Sequence, residues 1–116
     1  MTEPPDPEPV IPPELERAAR DLGWLYVNGA LAGVAAVLAE RRRQIEKLGW
    51  TPEHGDGQGD GGLANIAYRC LEEVFENRES GQGDPGDEER LLRNAGALAA
   101  AEIDRVTRAR EKGRRT

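Results

Sequence analysis

Histidine, cysteine, serine, methionine and phenylalanine each occur once in this chain of 116 residues. Each scarcity removes a class of chemistry. A single cysteine, Cys70, excludes an internal disulfide, leaves a cysteine-based zinc site without ligands, and suits a reducing compartment. A single histidine, His54, has no thiolate near it, so zinc there would need unusual carboxylate ligation. As a lone group it titrates near neutral pH and suits a surface position. Ser80 stands in Glu-Ser-Gly-Gln-Gly, which is not a nucleophile elbow, and no glycine run matches a phosphate-cradling P-loop. Aromatic residues are 4% of the chain, so the core has to come from Leu, Ala, Val and Ile, with alanine demanding close helix approach. The first residues carry neither a basic start nor an apolar run behind it, so no secretory signal is expected.

Net charge is −6, with 33% of residues charged. An acidic surface argues against nucleic acid as a partner. The balance reverses at the end, where residues 105–116 carry Arg105, Arg108, Arg110, Lys112, Arg114 and Arg115 against Glu111 alone. Cations in the last turns complement the helix dipole, and no aromatic residue is interleaved to stack on bases.

The pattern is all-α and predicts a small three- or four-helix bundle with glycine-rich loops. Residues 1–13 hold six of the eight prolines and no apolar period, and read as a disordered, acidic tail. Residues 14–112 read as a single helical domain and residues 113–116 as a disordered basic end. From Glu14 to Leu48, Leu15, Ala18, Leu22, Leu25, Gly29, Ala32 and Ala36 recur at helical steps, with Leu31, Val34, Leu38, Ile45 and Leu48 as a second line. Asn28-Gly29 leaves open whether this is one helix or two. Residues 22–39 carry no charge, but Ala, Gly and Asn28 dominate, so a buried helix is expected instead of a membrane span. Gly29 and Gly33, one turn apart, offer a face for tight packing in the core or in a homo-oligomer. Gly49 suits a helix stop. A third helix is expected from Leu63 to about Glu79, with Leu63, Ile66, Ala67, Cys70, Leu71, Val74 and Phe75 on its face. Asp84-Pro85 reads as an N-cap and first helical position. The last helix should reach Lys112, with Leu92, Ala95, Ala99, Ile103 and Val106 as its inner stripe and Leu91 and Leu98 beside it.

Two motifs suggest metal chemistry. The loop at Asp56, Gln58, Asp60 and Gly61 matches the start of an EF-hand calcium loop, but the twelfth position is Ala67, which cannot ligate. Glu72, Glu73 and Glu76 form Glu-Glu-x-x-Glu, which resembles half of the magnesium motif of MazG-type all-α nucleotide pyrophosphohydrolases. Acids four apart share a helical face and can hold Mg2+ over a triphosphate. The second half of that motif needs acids three apart, whereas Glu102 and Asp104 are two apart.

The segment Glu40-Arg-Arg-Arg-Gln-Ile-Glu-Lys-Leu-Gly-Trp-Thr-Pro-Glu-His54, with Leu91-Leu-Arg-Asn-Ala-Gly-Ala-Leu-Ala-Ala-Ala-Glu-Ile-Asp-Arg105, resembles a family of small phage and prophage proteins. The resemblance covers about residues 40–107. The layout is also weakly similar to the ryanodine-receptor repeat (RyR) domain, whose bacterial and phage relatives look like binding modules for small, nucleotide-type ligands. The phage family usually has a second histidine, more loop acids and a tryptophan-rich insert between the last two helices, which are missing here. The resemblance implies a non-enzymatic binding protein of phage type acting in the host cell cytoplasm, with host defence as a target of its modulation. Its partner would be a small anionic ligand or a host protein, without a cofactor. Arg43, Trp50, Glu53, His54 and Asp56 are the expected ligand-binding residues: an arginine fork, a flat aromatic face and an acidic loop. The opposed reading makes Trp50 a core anchor and the arginines solvated. The alternatives are the pyrophosphohydrolase at Glu72, Glu73 and Glu76 and a structural or oligomeric helical protein.

Overall fold

The computed structural model describes residue 3, residues 10–53 and residues 61–114. Most of the proline-rich tail, the glycine-rich loop with His54 and Asp56, and the last two residues lie outside that description. Four helices form and no strand is present among the described residues: α1 Pro13–Val27, α2 Leu31–Leu48, α3 Gly62–Ser80 and α4 Pro85–Arg114. The fold is all-α.

The helix boundaries follow local chemistry. α1 opens with proline in its first turn, where the missing N–H costs nothing. It stops at Asn28, whose side chain donates back to the Trp24 carbonyl at 2.8 Å, and Gly29 takes a φ of +71° that ends the helix. The run from 14 to 48 is therefore two helices. Gly49 and Gly81 end α2 and α3 in the same left-handed way. Asp84 caps α4 by accepting the Asp87 N–H at 2.8 Å, and that bond holds its carboxyl below the usual range. α4 continues through Gly113 to Arg114, beyond the expected end at Lys112.

The chain separates into two compact units, residues 1–32 and 33–116. In the first unit α1 has no buried residue; of its predicted stripe only Leu22 and Leu25 are even half-buried. The second unit holds the core. Leu63, Ala67 and Val74 of α3 meet Leu91, Ala95, Leu98 and Ala101 of α4, all less than a tenth exposed. α3 and α4 run antiparallel: the Arg78–Glu88 ion pair ties the end of one to the start of the other.

Two predicted stripes are corrected. On α4 the buried line is Leu91, Ala95, Leu98 and Ala101, with Ala97 buried beside it, whereas Leu92, Ala99 and Ile103 face outward. Both lines step by three and four, so periodicity could not choose between them. On α2 the one buried residue is Gln44, and Val34, Leu38, Ile45 and Leu48 are exposed.

The close helix approach is also elsewhere. A Cβ at Gly29 or Gly33 would meet nothing within 4 Å, but one at Gly96 of α4 would sit 2.6 Å from Val37 Cγ2 of α2. Val37 is β-branched and has little rotamer freedom to yield. Gly96→Ala is therefore expected to lower stability by about 1 kcal/mol, the overpacking outweighing alanine's better helix propensity. Gly33→Ala should raise it by up to about 1 kcal/mol. Urea unfolding of the two variants checks both signs; a stabilising Gly96→Ala would mean the helices are not in contact there.

Candidate functional site

The three consecutive arginines of α2 diverge because neighbours on a helix stand about 100° apart. Arg42 turns outward to Glu46 at 2.8 Å. Arg43 is half exposed and forks onto Glu40 with both N–H groups, at 2.9 and 2.8 Å. Arg41 alone turns inward: its side chain is 14% exposed, and its Nη1 donates to the Trp50 carbonyl at 2.9 Å. Its Nη2 lies 3.7 Å from Asp104 of α4.

Glycine geometry makes this possible. Gly49, at φ +69°, folds the chain back so that the Trp50 N–H donates to the Gln44 carbonyl at 3.0 Å. Arg108 of α4 then reaches the Pro52 carbonyl at 2.7 Å. The Gly-Trp-Thr-Pro segment is thus strapped at two carbonyls by arginines from two helices. Charge-assisted bonds of this kind are about twice as strong as neutral ones.

Trp50 is half-buried and packs against Leu63, Ala67, Ala95, Leu98 and Ala101. The gap beside it, bordered by Arg41, Gln44 and Pro52, offers about 10 Å³ to a water-sized centre, the room of one water. A nucleotide needs several hundred cubic ångströms. Gln44 is 1% exposed. Its amide supports Glu40, whose carboxyl is held below the ordinary range first by the Arg43 hydrogen bond, against the opposing effect of burial. Further along α4 the Arg105–Glu102 pair is well covered, with Nε at 2.7 Å from Oε1. A more open basic hollow of about 170 Å³ lies between Arg105, Arg108 and Lys112.

The expected ligand-binding residues are thus not all brought together. Arg43, half exposed, is taken up by the largely covered Glu40, Trp50 sits on the core, and Glu53 is exposed. His54 and Asp56 lie outside the described residues. Arg41, Gln44 and Arg108, which hold the segment, were not singled out in sequence. The available signal was register: Val37, Arg41, Gln44 and Leu48 step by four, three and four, so one arginine of the three shares a face with the apolar positions.

Glu72, Glu73 and Glu76 are exposed on α3, and no group of three or more potential metal ligands gathers among the described residues. Cys70 is half-buried, and burial first, then Glu73, pushes its thiol upward, away from the reactive thiolate. No helix is long and apolar enough to cross a membrane among the described residues.

No family model matches this chain, and neither a curated protein nor a solved structure does.

Proposed function

We propose that this is a non-enzymatic binding protein of phage type, acting in the host cell cytoplasm, and that what it binds is a protein surface. The observation that carries the reading is the outer side of α3 and α4. Tyr68, Phe75 and Ile103 are 62%, 60% and 66% exposed, with Leu71 and Leu92 beside them about two-fifths exposed. Large apolar side chains grouped in this way mark protein contact surfaces more often than small-ligand sites. The Arg41–Trp50 segment supports the same reading from the other direction. Its aromatic face is spent on the core and its inward arginine on a backbone carbonyl, which leaves a rigid surface element instead of a pocket. The resemblance of residues 40–54 and 91–105 to small phage proteins accords with an interaction role, including modulation of host defence.

A thermal-shift panel of nucleotides and small anions, each with and without magnesium, tests this reading, run beside the variant Tyr68→Lys/Phe75→Lys. The expected result is no ligand-induced change in Tm and a helical variant whose Tm stays close to the parent's. A nucleotide shift that disappears in Arg41→Ala would move the function back to the tryptophan segment. Loss of fold in the variant would make Tyr68 and Phe75 core residues and end the protein-surface reading.

A further inference from the structure

The apolar residues left outside on α3 and α4 form one face, as helix phase shows. Tyr68, Leu71 and Phe75 step by three and four, so they share a stripe of α3 about a quarter turn from the buried Leu63–Ala67–Val74 line. On α4, Leu92 and Ile103 stand about a third of a turn, in the same sense, from the Leu91–Ala95–Leu98–Ala101 line. In two antiparallel helices that face each other, rotation in the same sense brings both stripes to the same side. A shallow hollow between Ile103, Val106 and Arg110 extends the face along α4.

The charges are ordered along this face. The closed end of the hairpin, residues 72–89, carries eight acids and one cation, Arg78. The open end, residues 105–116, carries six cations and one acid. Arg110 and Arg114 continue the α4 stripe past Ile103 and are exposed, while Glu72 and Glu79 edge the α3 stripe and are exposed too.

We infer that the occupant of this face is a second copy of the same chain, laid on it antiparallel about a two-fold axis; this rests on the protein-surface reading above. The axis lies in the interface, across the helices, so the basic open end of one hairpin covers the acidic closed end of the other, twice over. A parallel arrangement would stack acid on acid and base on base. Isologous pairing needs a self-complementary patch, and a surface apolar in the middle with opposite charge at its two ends is one. Its size also fits. The five large side chains expose roughly 500 Å² of apolar area, taking ~200 Å² for an aromatic side chain and somewhat less for Leu and Ile. With the charged rim this approaches the ~800 Å² per partner of a standard interface.

Sedimentation equilibrium of the full chain, from low micromolar concentration upward, tests the inference. A monomer–dimer equilibrium is expected, weakened about thirtyfold or more by Phe75→Glu and by Ile103→Arg separately, with helical circular dichroism unchanged. The orientation is read from charge reversal. Arg110→Glu/Arg114→Glu should weaken the dimer about tenfold, and adding Glu72→Arg/Glu79→Arg should restore most of it. A parent that stays monomeric throughout, or a dimer indifferent to both face variants, overturns the inference. So does charge reversal without effect, which removes the antiparallel arrangement. If the parent is monomeric but Phe75→Glu and Ile103→Arg keep their fold, the protein-surface reading stands and only the second copy is excluded. If both variants unfold, that reading falls as well.

Discussion

Leu98→Ala is expected to lower the unfolding free energy of the second unit by about 3–4 kcal/mol, while Ile103→Ala, five residues on, changes it by less than about 0.5 kcal/mol. Leu98 is 2% exposed and lies in the cluster of Leu63, Ala67, Ala95 and Ala101 under Trp50. Three of those four neighbours are alanines. They have no side-chain torsions with which to fill the space a lost isobutyl group leaves, so the cavity persists, and the cost belongs in the upper part of the range for such truncations. A domain of this size has about 5–10 kcal/mol in total, so one methyl-for-isobutyl exchange removes a large share. Ile103 is 66% exposed and gives up little burial, and alanine slightly improves the helix. Urea unfolding in dilute solution, where association does not add to stability, makes the comparison. Equal costs at the two positions would mean that α4 is rotated from the orientation described above.

The second large effect is at Arg41. Replacing it with alanine should cost about 2 kcal/mol, the value of a charge-assisted hydrogen bond together with the packing of its aliphatic stem. The side chain is 14% exposed, its Nη1 holds the Trp50 carbonyl, and its Nη2 approaches Asp104. Removing it frees the Gly-Trp-Thr-Pro segment at one of its two straps. In a Trp24→Phe background, where Trp50 is the single tryptophan, its emission should shift to longer wavelength as the ring meets water. Arg43→Ala should leave emission nearly unchanged and cost some stability, but less than Arg41→Ala, because Arg43 itself is half exposed although its partner Glu40 is largely covered. Arg41→Lys should recover only part of the loss, since an ammonium is a single point and cannot serve both the carbonyl and Asp104 through a planar fork. A red shift in Arg43→Ala as large as in Arg41→Ala would show that the segment is held otherwise.

Much of the local architecture was legible. The stop at Gly49, the interruption suspected at Asn28-Gly29 and the Asp84-Pro85 start follow from backbone rules that act within a few residues: a positive φ that glycine alone tolerates well, a side-chain oxygen that caps, a ring that fits the first turn. The inward face of α3 was half legible. Leu63, Ala67 and Val74 are buried as expected, but Ile66, Leu71 and Phe75 are not. An apolar sector wider than one partner helix can cover looks, in sequence, like one face. Residues 40–53 form the end of α2 and the segment strapped after it, and the arginine that straps it is Arg41, where the expected ligand-binding arginine was Arg43. Arg43 matches a family pattern, whereas Arg41 matches the register of α2.

The sequence by itself determined that this chain is helical, roughly where most of its helices start and stop, and that one cysteine and one histidine cannot pair to support it. These are consequences of periods and caps, which are read within a turn or two. Only the tertiary structure decided which of two equally periodic lines on α4 is buried, that Gly96 and not Gly33 has a side chain of another helix against it, and that Trp50 lies on the core. Those outcomes depend on where α2 and α3 pack against α4. Rotating a helix by a quarter turn leaves its own periodicity unchanged while exchanging the residues that meet water for those that meet a neighbour.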